Sequence, residues 1–278
     1  MDDHHRNANR SAWDELAPIH AKSEFYDIEG FLDGTSALRG FELAEMGEVA
    51  GRSLVHLQCH IGLDTLSWAR RGADVVGLDF SRPAIEVARH VARRAGLDAR
   101  FEVADVYDAV RALDRRFDLV YTGIGALCWL DDLPGWAKVV HDLLEPGGRL
   151  YLVEIHPFTD VFAKDELRVE HHYFDRGVPF RDETPGTYAD RNAITRHNLT
   201  YEWTHTIDSV LSSLLNAGLK LESFAEHDFT VFKQFSDLEF DPTDRTFRFP
   251  PDHARLPLMY SLRAEKLDAA PTVGIADQ

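Results

Sequence analysis

Gln58, Cys59, His60, Ile61 and Gly62 lie between a short apolar run, Leu54–Leu57, and a helical stretch that begins at Asp64. A loop in that place offers the free N–H groups of a helix N-terminus to a ligand. A glycine such as Gly62 lets a ligand approach the backbone closely. Asp79 follows seventeen residues after Gly62, at the end of a second apolar run, Asp74–Leu78, and before Phe80 and Ser81. A carboxylate at about that spacing grips the diol of a ribose. It can also serve as an acid favoured by the dipole of the next helix, and the two roles are compatible. A third run, Arg100–Val103, leads into Ala104, Asp105 and Val106, and a fourth, Phe117–Tyr121, into Thr122 and Gly123. Asp105 is either a ligand contact or a solvated loop acid. Four strand ends carrying these groups suit a cofactor built on a nucleoside.

Other residues could act on a substrate. Glu154, His156 and Pro157 follow a fifth run, Arg149–Glu154. An imidazole titrates near neutrality, so His156 is a candidate general base, with a structural histidine bonded to backbone as the rival reading. His20 and Tyr26 lie in the lead-in before the first strand, where Tyr26 is either a catalytic lid residue or plain packing against Phe25 and Phe31. Aromatic residues such as Phe158, Phe162, Tyr173, Tyr188 and Trp203 fall after the fifth run. They form a cap core, a pocket for a flat or apolar substrate, or both. His4-His5 and His171-His172 do not read as metal ligands. Neighbours on a strand face opposite ways, and no companion ligands have the spacing, so no metal is expected.

The elements that position these groups alternate between strand and helix, which implies parallel βαβ units with right-handed crossovers. The helix over Arg82–Arg94 is the best defined, with Ser81 as its N-cap, Pro83 in its first turn and Gly96 after it. Helices are also expected over Trp13–Ala17 with Ser11 as cap, Ser36–Met46, Asp64–Arg71, Leu133–Leu144 and Thr206–Asn216. Strands are expected at Lys220–Phe224 and Leu258–Leu267. The fold class is therefore α/β. The division is a helical lead-in or lid over 1–50, a Rossmann-like core over 51–155, a substrate-side cap over 156–205, a completion of the core over 206–267 and a tail over 268–278. Residues 1–10 are expected to fray.

The 278 residues carry 30 Lys+Arg against 47 Asp+Glu, a net charge of −17. Such a chain repels polyphosphate backbones and anionic membranes, so neither nucleic acid nor membrane is an expected partner. Two cysteines, Cys59 and Cys128, both in apolar segments, fit a reducing cytoplasm. The N-terminus lacks the apolar stretch of a signal peptide. A homo-oligomer is compatible with the sequence.

Two cofactor classes fit a strand–loop–helix followed by a strand ending in an acid. NAD(P) wants a glycine-rich cradle for its pyrophosphate, and here only Gly62 serves. S-adenosylmethionine (SAM) has no pyrophosphate and tolerates a loop poorer in glycine. The motifs resemble those of class I SAM-dependent methyltransferases. Leu54–Gly62 is similar to the first motif, Gly77-Leu78-Asp79-Phe80-Ser81 to the ribose motif, and Phe101–Val106 to the adenine motif. Phe117–Tyr121 is similar to the fourth-strand motif and Leu144-Glu145-Pro146-Gly147-Gly148 to the turn before strand five. The first motif departs from the family pattern, with His56, Gln58 and His60 in place of an acid and glycines. In this form it resembles a bacterial branch that shares the Trp13…His20…Tyr26 lead-in. Some of its members methylate natural-product scaffolds, indole rings among them.

The resemblance implies a doubly wound seven-stranded sheet with an antiparallel last strand, SAM as cofactor and a small-molecule methyl acceptor. It implies cofactor contacts at Tyr26, Gln58, Cys59, His60, Gly62, Asp79, Phe80, Ala104, Asp105, Val106 and Thr122. His156, Glu154 and Tyr26 are the catalytic candidates. An NAD(P)-dependent oxidoreductase and a SAM-binding module without catalysis are the alternatives.

Overall fold

The computed structural model describes residues 3–163, 165–174 and 177–267, so the expected tail over 268–278 lies outside the described residues. Three helices come first: α1 (Asp3–His20), α2 (Ile28–Leu32) and α3 (Gly40–Met46). The core then runs β1 (Ser53–Leu57), α4 (Leu63–Arg70), β2 (Asp74–Asp79), α5 (Arg82–Ala95), β3 (Arg100–Val103), α6 (Ala109–Leu113), β4 (Phe117–Thr122), α7 (Leu133–Leu143) and β5 (Leu144–Ile155). The cap holds β6 (Phe180–Asp182) and β7 (Thr200–Glu202). There follow α8 (Ile207–Asn216), β8 (Leu219–His227), β9 (Phe229–Thr230), β10 (Glu239–Asp241), β11 (Thr246–Arg248) and β12 (Met259–Lys266).

Seven strands form one sheet in the order β3-β2-β1-β4-β5-β12-β8. Strands β1 to β5 run parallel, and β12 is antiparallel to both its neighbours. The chain order reverses between β1 and β4, and a crevice for ligands opens at such a point beyond the carboxyl ends of the strands. Leu57 of β1 is level with Leu78 of β2 and with Thr122 of β4. The loops after these three strands therefore leave the sheet side by side.

Central strands covered on both faces must be apolar throughout. On one face Val55, Leu57, Val120 and Leu152 pack with Trp136 of α7 and Leu214 of α8. On the other, Leu54, Val75, Tyr121 and Tyr151 pack with Trp68 of α4. Helix α5 begins as expected, with the Ser81 hydroxyl accepting from the Ala84 N–H (3.3 Å), and closes at left-handed Gly96. It buries Ile85, Ala88 and Val91 against Ile61 and Phe101. Each large apolar side chain so buried contributes about 1.5–3 kcal/mol.

The structure differs from expectation in four places. Helix α1 starts at Asp3 rather than after residue 10, and Ser11 sits inside it, bonded to the Asn7 carbonyl (2.9 Å). The polar start holds its helix because it is clamped. Buried Asn9 donates to the Tyr201 carbonyl and accepts its N–H, both at 2.8 Å. Pro18 lies within α1, which runs on to His20. Helix α3 begins at Gly40 rather than Ser36. Strand β5 begins at Leu144, with the Glu145–Gly148 turn carried as a register break against β4. Lastly, residues 228–258 make a second excursion from the sheet. It carries the small antiparallel sheet β10-β11-β9 over its own core of Phe235, Leu238 and Leu258.

Candidate active site

The loop after β1 folds with three left-handed residues at alternate positions: Gln58 (φ 57°), His60 (φ 49°) and Gly62 (φ 77°). Glycine adopts that conformation freely, while other residues pay roughly 1–2 kcal/mol for it. Each non-glycine residue is held by a side-chain bond to another segment. Gln58 Nε2 donates to the Ala126 carbonyl at 2.8 Å. His60 Nε2 lies 2.9 Å from His20 Nδ1 on α1. Gly62 serves packing rather than ligand approach. A Cβ there would lie 2.7 Å from the Phe101 ring and 2.8 Å from the Ala88 methyl. Cys59 is buried among the core residues packed on α5, and burial and the Asp79 charge push its thiol up. Only its backbone is left for a ligand.

Asp79 ties two strand-end loops together. One oxygen accepts from the His60 N–H and the other from the Ser81 N–H, each at 2.8 Å. Burial pushes its carboxyl up to about 6 despite these donors. The Phe80 N–H also bonds this carboxylate, and a carboxylate has about four acceptor sites, so room remains for a ribose hydroxyl. Asp105 accepts from the Tyr107 N–H (3.1 Å) and pairs with Arg6 Nε of α1 (3.1 Å). Arg10 of α1 lies over the Phe80 ring, 5.6 Å from its centre. Ala104 is pinned by its N–H to the Asp79 carbonyl (3.0 Å). The Val106 side chain belongs to the core under α7, so it too offers only backbone. Thr122 is fully buried at the end of β4.

Helix α1 and the cap meet over this loop. Trp13 packs edge-on against His60 and Trp129, both at 5.2 Å between centroids. His20 stacks on Tyr26 (5.3 Å) and reaches Thr187 Oγ1 (2.5 Å). The Tyr26 and Tyr188 hydroxyls share a hydrogen bond. Tyr188 keeps 53% of its surface free, yet surrounding protein pushes its hydroxyl up to about 12. Burial and the neighbouring Tyr188 also lift the Tyr26 hydroxyl well above the usual tyrosine value.

The other two catalytic candidates are occupied. The Glu154 carboxylate accepts the N–H groups of Gly125 (2.5 Å), Ala126 (2.9 Å), Leu127 (2.9 Å) and Ile155 (2.8 Å). It organises the loop after β4. Nδ1 of His156 accepts the Phe158 N–H (3.1 Å), which leaves Nε2 as the protonated nitrogen facing Glu226 (3.1 Å). No lone pair is free for a substrate proton, and burial lowers the ring's pKa. The structure thus gathers Tyr26, Gln58, His60, Asp79 and Asp105 at adjoining strand ends and leaves His156 apart. Sequence reasoning missed the pairing of His20 with Thr187 and of Tyr26 with Tyr188. It also missed Asp160 and Glu202 of the cap. The surrounding protein and neighbouring acids raise both carboxyls to about 7, although the Asp160 side chain is exposed and that of Glu202 only half-buried.

Residues 55–148 match the family model of a methyltransferase domain. The chain carries a class I SAM-dependent methyltransferase domain. It is similar to a ubiquinone biosynthesis O-methyltransferase of Xanthomonas euvesicatoria pv. vesicatoria, at 27% identity over 78% of this chain and 83% of that one. Two solved structures share the fold. A SAM-dependent methyltransferase from Mesorhizobium loti superposes with TM-score 0.53 at 23% identity, covering 84% of this chain and 99% of the other. One from Clostridium acetobutylicum superposes with TM-score 0.55 at 14% identity, covering 95% and 99%.

The methyltransferase cofactor is SAM, and the residues present fit it. Gln58 Oε1 and Thr122 Oγ1 are buried polar atoms with no hydrogen-bond partner among the described residues. Buried polar groups are rarely left so. Gln58 Oε1 is an acceptor suited to an ammonium, and Asp79 keeps room to accept a ribose hydroxyl.

Proposed function

We propose that this methyltransferase acts on a small, flat, aromatic acceptor held between α1 and the cap. The observation that carries the reading is the run of rings from Trp129 through Trp13, His60, His20 and Tyr26 to Tyr188, seated on the cofactor loop. Rings in such a cluster stack on a planar ligand and exclude water. The relative named for ubiquinone biosynthesis adds support, since its name specifies an O-methyltransferase.

SAM supplies a methyl group already activated on a sulfonium, so positioning can do much of the catalysis. Asp79 would hold the ribose, Asp105 the adenine edge, and Gln58 the amino-acid end. Tyr188 would orient the acceptor through its hydroxyl. Where an acceptor must lose a proton, Asp160 and Glu202 are the groups tuned towards neutrality, the range a general base needs.

The test is calorimetric titration with S-adenosylhomocysteine (SAH), with NADH as control, on the wild type and Asp79→Ala. The expected result is SAH binding that weakens by about 10- to 100-fold in the variant, the loss of charge-assisted hydrogen bonds, and no NADH binding. A screen of phenolic and indolic acceptors with labelled SAM then follows. Binding of NADH in place of SAH would overturn the reading.

A further inference from the structure

His20 is completely buried and makes two hydrogen bonds to different parts of the molecule. Its Nδ1 faces His60 Nε2 (2.9 Å) on the cofactor loop. Its Nε2 faces Thr187 Oγ1 (2.5 Å) on the cap. Its ring lies between those of Tyr26 and Tyr188, at 5.3 and 4.8 Å. Its own carbonyl accepts from Ser23 Oγ (2.8 Å), which starts the turn leading to Tyr26.

We infer that His20 is a positioning residue for methyl transfer: it fixes Thr187, and through Thr187 the adjoining Tyr188, over the cofactor loop. This rests on the methyltransferase reading of the site. Thr187 is a sound anchor, because its N–H and carbonyl pair with those of Asp190 (both 3.1 Å) in a tight turn. Gly186 before it donates to Thr195 Oγ1 (2.8 Å). The turn carrying Tyr188 is thus rigid within itself, and His20 decides where it sits. Burial holds His20 at about 4, so the ring is neutral at working pH and has one donor and one acceptor nitrogen for its two partners.

The two nitrogens can be removed separately. The amide of His20→Gln can reach towards Thr187, while the shorter amide of His20→Asn reaches only the Nδ1 position beside His60. His20→Phe keeps the ring and loses both bonds. Thr187→Val removes the hydroxyl from the cap side. The decisive measurement is amide hydrogen exchange of residues 186–190 in the SAH complex, with SAH affinity by calorimetry alongside. His20→Gln should exchange within about 3-fold of wild type, while His20→Asn, His20→Phe and Thr187→Val exchange about 10-fold faster, as loss of one buried hydrogen bond predicts. The double variant His20→Phe/Thr187→Val should be no faster than either single one, because both singles already remove the same His20–Thr187 bond. With an acceptor from the screen, kcat should follow the same order, while SAH affinity stays within about 3-fold in Thr187→Val, which leaves the His20–His60 bond in place. Equal exchange in the Gln and Asn variants, or effects that multiply in the double variant, would overturn the inference. Failure of the wild type to bind SAH would instead overturn the methyltransferase reading. Exchange without SAH would still report on the His20 bridge.

Discussion

Replacing Glu154 separates a structural from a catalytic role for the best-placed carboxylate near the cofactor loop. Its oxygens accept four backbone N–H groups, and those of Ala126 and Leu127 belong to buried residues. A buried donor left without a partner costs about 1–3 kcal/mol, so Glu154→Ala should lose about 2–6 kcal/mol from these two alone. Against a total stability of about 5–15 kcal/mol that is a large fraction. At roughly 2–4 °C per kcal/mol for a chain of this size, a mid-range loss lowers Tm by about 8–16 °C. Glu154→Gln keeps one carbonyl oxygen but turns an NH2 towards N–H donors, so about half the loss is expected. The Ala126 carbonyl holds Gln58, so the variants should also weaken SAH binding. Urea unfolding of the ligand-free protein measures the first effect and calorimetry the second. If Glu154→Gln unfolds within about 0.5 kcal/mol of wild type, the range of an ordinary surface change, and its pH–rate profile loses a limb, the structural assignment is wrong. Glu154 is then the base.

Gly62→Ala should destabilise by about 2–5 kcal/mol, the sum of left-handed strain and overpacking against Phe101 and Ala88. Thermal melts check it, and a loss below about 1 kcal/mol would refute the packing role. His60 should show an inverted order: His60→Gly more stable than His60→Ala by about 1 kcal/mol, since both lose the ring and only glycine escapes φ 49°. Urea unfolding of the pair decides it, and the usual preference for alanine would count against the backbone assignment. Glu42 is buried, and burial and Asp64 push its carboxyl up to about 7. A folded-state pKa raised above the unfolded one gives stability that is full at low pH and lost as pH rises through about 7. Glu42→Gln should therefore match wild type near pH 5 and melt higher than it near pH 8. A gap independent of pH would remove Glu42 from that role.

The sheet was legible because strand and helix differ in period, and each strand end carried its own polar signature. Ser81, Pro83 and Gly96 mark the two ends of α5 by residue type alone. Asp79 could be put at the end of β2 by spacing alone. What the residues could not declare is which polar groups are already satisfied. Glu154 reads as a free acid until the N–H groups of 125–127 turn towards it. His156 reads as a base until Phe158 and Glu226 take its two nitrogens. Helix α1 looked frayed because its anchors, Tyr201 and Thr187, lie more than 160 residues away. The strands of the second excursion are two or three residues long, too short for a period to show.

The missing glycines of the first motif and the long N-terminal helix belong to one arrangement. A glycine-rich loop needs nothing to hold its left-handed turns. Here Gln58 and His60 keep the turns and retain side chains, and each side chain is spent on another segment: Gln58 on the loop after β4, His60 on α1. The His60 N–H bonds Asp79, so the Asp79 carboxylate, the loop after β1 and α1 share one hydrogen-bonded chain that continues through His20 to Thr187. Left-handed strain is tolerated only where surroundings over-determine the backbone. The substitutions that make the motif look degenerate thus tie the cofactor loop to α1 and to the loop after β4. In this chain the left-handed turns of the loop are held from α1 and from the loop after β4.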